Sequence, residues 1–178
     1  MPRAVMIDSP IRIAILTLSD RVAAGVREDE SGALIRQMVA SLNVQVISQQ
    51  VLPDDLEQLK ITLQNLADHD NAELILTTGG TGLAARDVTP EATLAVIQRR
   101  VPGIEEAMRA AGLAKTPHAM LSRAVAGVRG HTLIINLPGS PKGVRENLET
   151  ILPALPHAAR LLRTDKIADA EHCLETSA

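Results

Sequence analysis

Two short stretches hold the residue types able to do chemistry. The first is Gly79-Gly-Thr-Gly-Leu-Ala-Ala-Arg-Asp-Val-Thr-Pro90, where Gly79, Gly80 and Gly82 precede Arg86 and Asp87. Glycine lets a backbone turn sharply and come close to a ligand. The stretch follows Leu74-Ile-Leu76, which reads as a buried strand, and ends at Thr89-Pro90-Glu91. That ending is a helix start, with Thr89 as N-cap, Pro90 at the first helical position and an acid in the first turn. The second stretch, Thr132-Leu-Ile-Ile-Asn-Leu-Pro-Gly-Ser-Pro-Lys142, repeats the plan: a strand, a Pro138-Gly139 turn, Ser140 as N-cap and Pro141 at the first helical position. A helix N-terminus at a strand end is an anion site. Two such junctions on neighbouring parallel strands open into one crevice at the carboxyl edge of the sheet.

Asp87 is out of place in a loop that only cradles phosphate. It reads either as a turn residue bonded to its own loop or as a ligand of a divalent cation that bridges it to an anion. Asp54 also has two readings. Asp54-Asp55-Leu56-Glu57 has the form of a helix cap, yet it lies at the carboxyl end of a strand, as Asp87 does. Ser19 and Asp20 follow the first strand, as a turn or as part of the site, and spacing does not separate the two.

Several chemistries are excluded. Gly80-x-Gly82-x-x-Ala85 fits a dinucleotide fingerprint only formally, because the helix begins too late. No Lys-Ser/Thr pair follows either glycine cluster, so there is no Walker A loop, and no Gly-x-Ser-x-Gly elbow occurs. The five histidines have no metal-ligand spacing, and Cys173 has no partner cysteine. The net charge is −3 and Phe, Tyr and Trp are absent, so neither a basic nucleic-acid footprint nor a base-stacking platform is expected. No apolar run reaches membrane-spanning length and no signal-peptide pattern opens the chain, so a cytoplasmic location is expected.

The elements that must position these residues alternate. Strands are expected at Ile11–Leu18, Val44–Leu52, Leu74–Leu76 and Thr132–Leu137, with a short strand and turn within 122–130. Helices are expected from Ser31 to Leu42, after Asp54 through Leu66, from Pro90 to Arg100, from Ile104 to Gly112, and from Pro141 to about Leu152 with a continuation towards Leu162. Pro102-Gly103 breaks a helix, 115–120 is a loop, and Arg99-Arg100 is a solvated helix end. The 178 residues make one α/β domain over 11–162, a three-layer α/β/α fold on a mostly parallel, doubly wound sheet. Residues 1–10 form a loose leader and 163–178 a polar tail.

Taken together and in order, Leu18-Ser-Asp-Arg21, Leu52-Pro-Asp54, Thr77-Thr-Gly-Gly-Thr-Gly82, Arg86-Asp-Val-Thr-Pro-Glu-Ala92, Pro102-Gly-Ile-Glu-Glu106, Leu121-Ser-Arg123 and Asn136-Leu-Pro-Gly-Ser-Pro-Lys142 resemble the molybdopterin-binding (MogA/MoaB) family of molybdenum-cofactor biosynthesis. The resemblance runs from Arg12 to about Leu162, and within the family the chain is most similar to the Mog-type adenylyltransferases.

That resemblance implies an α/β/α homotrimer that joins AMP from ATP to the terminal phosphate of molybdopterin, with Mg²⁺ required, pyrophosphate released and the product passed to a molybdate-inserting partner. The two acids that matter in the family match Asp54 and Asp87, either of which would hold Mg²⁺. Gly79, Gly80, Thr81 and Gly82, with Asn136, Pro138, Gly139, Ser140 and Pro141, match its nucleotide- and pterin-binding segments. Ser19, Asp20 and Ser122 fall in matching motifs. A MoaB-type paralogue that binds pterin without adenylylating it is the alternative. It is suggested by the short chain and by Leu121-Ser-Arg-Ala-Val-Ala-Gly127, and opposed by the presence of both acids. Neither a receptor-anchoring scaffold nor a nicotinamide-nucleotide relative brings its usual extra domain here.

Overall fold

The computed structural model describes residues 9–164. Strands β1 (Ile11–Leu18), β2 (Val44–Leu52), β3 (Leu74–Thr78), β4 (Arg99–Arg100), β5 (Ala126–Arg129) and β6 (Thr132–Leu137) form one sheet in the order β2-β1-β3-β6-β5-β4. The first four in that order are parallel, and β5 and β4 continue the sheet antiparallel. Helices α1 (Asp20–Ala23), α2 (Glu30–Val39), α3 (Leu56–Asp68), α4 (Thr89–Val96), α5 (Pro102–Leu113) and α6 (Pro141–Ile151) connect them, and α7 runs over residues 155–164. Among the described residues, no helix is long and apolar enough to cross a membrane.

Alternation along each strand divides the core into two. Ile13, Ile15, Leu76 and Ile135 face α2, α5 and α6 through Ile35, Met108 and Leu148. Ala14, Leu16, Ile75 and Ile134 face α3 and α4 through Leu59, Leu63 and Val96. Burial on both faces of the sheet accounts for the near-continuous apolar strands, and the three-layer expectation holds. Chain order reverses between β1 and β3: from β1 the chain goes to β2 on one side, then returns to β3 on the other. The carboxyl ends of β1 and β3 therefore flank the switch point where ligands bind in such sheets.

Several helix boundaries differ from expectation. Asp29, not Ser31, caps α2 by accepting from Gly32 N, and the helix ends at Val39. Ser31 Oγ instead donates to Gly139 O at 2.8 Å. Asp55, not Asp54, caps α3. Thr89 does not cap α4: Val88 occupies the cap position, and the buried Thr89 hydroxyl donates to Gly79 O at 2.9 Å. Helix α4 stops at Val96, and Arg99-Arg100 is an edge strand on β5 rather than a helix end. The reason is Glu105, 2% exposed, which accepts from Arg100 and Arg109 and from Ala126 N at 3.0 Å. That buried carboxylate draws Arg100 to the sheet. Pro102 starts α5 instead of only breaking a helix, and Pro117–Leu121 closes into a 3-10 turn.

Arg163, placed in the tail by sequence, belongs to the folded part: it pairs with Glu73 and donates to Ser9 O at 2.7 Å and Pro10 O at 2.8 Å. Those bonds also tie down the last residues of the expected leader. Residues 1–8 and 165–178, with His172 and Cys173, lie outside the described residues.

Candidate active site

The glycine turn is fixed from both sides. Gly79 and Gly80 have φ of 95° and 64°, in the left-handed region where side chains are strained. A Cβ on Gly79 would lie 2.2 Å from Leu18 O, and one on Gly80 2.4 Å from Thr89 Oγ1. Thr89 holds both residues, since its hydroxyl bonds Gly79 O and its amide donates to Gly80 O at 3.1 Å. The second turn packs directly on the first: Thr78 Oγ1 donates to Pro138 O at 2.6 Å, and Gly79 N to Leu137 O at 3.3 Å. The two junctions do lie on neighbouring parallel strands, β3 and β6, as their spacing implies.

Two cavities open around these turns. The first, of about 290 Å³, sits over the β1–β3 switch point and is lined by Ser19, Asp54, Gly79, Gly80, Asp87, Gly139 and Ser140. The second, of about 300 Å³, is lined by Thr81, Gly82, Ser122, Pro138 and Ser140, with an apolar contribution from Met108, Ala119 and Leu121. Ser140 borders both, and it caps α6 by accepting from Gly143 N at 3.1 Å.

The first cavity is acidic. Glu28, Asp29, Glu30, Asp54 and Asp87 line it against Arg27 and Arg86. Burial pushes the Asp54 carboxyl above its ordinary range, and the charges of Asp20 and Asp87 push the same way, while the Asp20 amide and Arg86 oppose them. Asp87 is the turn residue of the first reading, and it also lies where the second would need it. Its Oδ2 accepts from Ala84 N at 2.8 Å, closing its own loop, and the residue still lines the cavity.

The remaining expected site residues separate. Asp20 borders the site by bonding Asp54 but lines neither cavity. Asn136 is fully buried behind the glycine turn: its amide donates to Thr77 Oγ1 at 3.0 Å and Thr93 Oγ1 at 2.9 Å, and its Oδ1 accepts from Val125 N at 3.2 Å. It is a brace, and it lines neither cavity. Pro141 fixes the start of α6 and lines neither cavity. Sequence reasoning did not single out Arg27, Glu28 and Glu30 of the first cavity as site residues. Charged residues in a loop carry no signal that distinguishes a cavity wall from a solvated turn.

A crevice at a switch point, a glycine turn, a capped helix start and two carboxylates lining one cavity define a doubly wound α/β protein with a ligand crevice. Comparison with known proteins agrees. Residues 14–157 match the family model described as "Probable molybdopterin binding domain". The chain is 43% identical over 154 residues to a molybdopterin adenylyltransferase of Helicobacter pylori, covering 85% of this chain and 88% of that protein. It is 47% identical over 162 residues to gephyrin of Dictyostelium discoideum, but spans only 22% of that protein's length. Among solved structures it superposes on the molybdopterin biosynthesis enzyme MoaB of Thermus thermophilus with a TM-score of 0.81 at 53% identity, covering 85% of this chain and 96% of that one. A MogA structure matches with a TM-score of 0.80 at 40% identity, covering 85% and 99%. The chain belongs to the molybdopterin-binding family of molybdenum-cofactor biosynthesis.

Proposed function

We infer that this protein is a molybdopterin adenylyltransferase. The observation that carries the reading is the presence of Asp54 and Asp87 in one cavity with Gly79, Gly80 and the Ser140 helix start. A terminal phosphate oxygen of molybdopterin attacks the α-phosphorus of ATP, the new P–O bond forms, the α–β bridging bond breaks and pyrophosphate leaves. No nucleophilic side chain is needed, so catalysis is positioning and electrostatics. The glycine turn and the capped start of α6 orient the phosphates. The aliphatic wall of Met108, Ala119, Leu121 and Pro138 receives a flat heterocycle in a chain without aromatic side chains.

Two anions meet in a cavity that is itself acidic, so a cation belongs to the site. The donors fit Mg²⁺: they are carboxylate oxygens, and Asp54, raised in pKa first by burial and then by the charges of Asp20 and Asp87, gains from a cation beside it. Among the described residues no group of three or more His, Cys, Asp or Glu could hold a metal alone. Asp54 and Asp87 would hold Mg²⁺ jointly with substrate phosphates, as Mg²⁺ sites commonly do. When bound, Mg²⁺ screens the phosphates and stabilises charge on the departing pyrophosphate. A homotrimer, a cytoplasmic location and transfer of the product to a molybdate-inserting partner complete the proposal and rest on the family resemblance.

A second reading, a MoaB-type pterin-binding paralogue without transferase activity, rests on the family resemblance. The two carboxylates facing one cavity argue for the enzyme. Incubation with ATP, Mg²⁺ and molybdopterin, followed by mass spectrometry of the pterin, separates the two. The transferase yields pterin heavier by one adenylyl group, whereas binding without modification supports the paralogue.

A further inference from the structure

We propose that Arg123 is a positioning residue whose guanidinium, held by Glu91, clamps loop 82–88 so that Asp87 faces the first cavity. The loop has little packing of its own, with Leu83 67% exposed. Arg123 grips it near both ends. Nε donates to Gly82 O at 2.7 Å, Nη2 donates to Asp87 O at 2.5 Å, and the guanidinium also bonds the Glu91 carboxylate on α4. The Arg123 backbone amide adds a bond to Thr81 O at 3.0 Å. One residue earlier, Ser122 lines the second cavity. The clamp thus joins the walls of both cavities through a single side chain.

Exposure indicates what the clamp is for. The Arg123 and Glu91 side chains are 35% and 48% exposed, so their ion pair adds little stability. What a planar fork with several fixed donors supplies is geometry, which a lysine does not reproduce. Two residues that the transfer chemistry itself leaves without a role, Arg123 of Leu121-Ser-Arg123 and Glu91 of Arg86-Asp-Val-Thr-Pro-Glu91, become the two halves of one device.

The proposal rests on the adenylyltransferase reading for its kinetic test, and a proteolytic test stands apart from it. Misplacement of a reacting group by about an ångström costs on the order of a hundredfold in rate. Arg123→Gln should lower kcat by roughly that factor, Arg123→Lys by about tenfold and Glu91→Gln by less, with KM for both substrates within about threefold. In an Asp87→Asn background, single-turnover measurements should find that Arg123→Gln costs less than about threefold more, because the group it positions is already disabled. The thermal midpoint should move by only a few degrees.

Trypsin reads the loop directly, since it cuts after the exposed Arg86. Cleavage there should be at least about tenfold faster in Arg123→Gln than in wild type. If the wild type makes no adenylylated pterin but this cleavage is still accelerated, the transferase reading falls and the clamp stands. Should Arg123→Gln not fold, Arg123→Lys and Glu91→Gln carry both tests. Unchanged cleavage at Arg86, full activity of Arg123→Lys, or an equal loss in the Asp87→Asn background would each overturn the clamp.

Discussion

Asp20 and Asp54 hold each other by the backbone: Asp54 N donates to Asp20 Oδ1 at 2.9 Å, and Asp20 N donates to Asp54 Oδ2 at 3.3 Å. The pair fuses the loops after β1 and β2, beside Ser19 N, which donates to Leu52 O at 3.0 Å. Asp54 can therefore face the cavity without serving as a helix cap, which Asp55 does instead. Asp20→Asn keeps an acceptor oxygen and should retain most activity. Asp20→Ala frees the Asp54 loop and should lower kcat by about tenfold, as steady-state assays of the two variants would measure.

Asp54 should cost stability for its role. Its folded-state pKa lies above the ordinary value of 3.8, chiefly through burial. Between the unfolded and folded values the native state binds more protons than the unfolded one, so this group's contribution to stability falls as pH rises through that window. Asp54→Asn removes the penalty. Calorimetry near neutral pH should find its thermal midpoint raised while activity falls. The gain should vanish below about pH 3.8, where both proteins carry a neutral side chain.

Asn136 is expected to act through the fold. Removing it by Asn136→Ala leaves Val125 N and the hydroxyls of Thr77 and Thr93 without these buried partners. The cost should be about 2–4 kcal/mol in urea unfolding. Any variant that stays folded should bind pterin with near wild-type affinity, because the side chain lines neither cavity.

Glu105 is the second buried brace. It is 2% exposed and paired with Arg100 and Arg109. Glu105→Ala leaves Ala126 N without its buried acceptor and should destabilise by about 1–3 kcal/mol, since the Arg100 and Arg109 guanidiniums can return to water. Glu105→Gln keeps the acceptor for Ala126 N and should cost less. Denaturant midpoints of the two variants give the comparison.

The sequence made the architecture readable wherever one short-range signal decides the outcome. The apolar runs of β1, β3 and β6 need burial on both faces, and Ser140-Pro141 starts a helix through its own side chain. The glycine turns were also legible, because only glycine tolerates the approach of Leu18 O to Gly79. What escaped depends on distant partners. Arg100 is a strand residue because Glu105 draws it there, and Thr89 is a latch because Gly79 O lies opposite. Of two adjacent aspartates, the cap is the one not already engaged by Asp20. Asn136 sits in a binding motif yet faces the core, a distinction that depends on strand register, on the Thr93 side chain of α4 and on the Val125 amide.

The most direct test of the central claim is pyrophosphate release by purified protein given ATP, Mg²⁺ and molybdopterin, with wild type beside Asp87→Asn. The account predicts release that requires the pterin and drops by about a hundredfold or more in the variant, while pterin affinity is retained. Tight pterin binding without release by the wild type would contradict it, leaving Asp87 as the closing residue of its own loop.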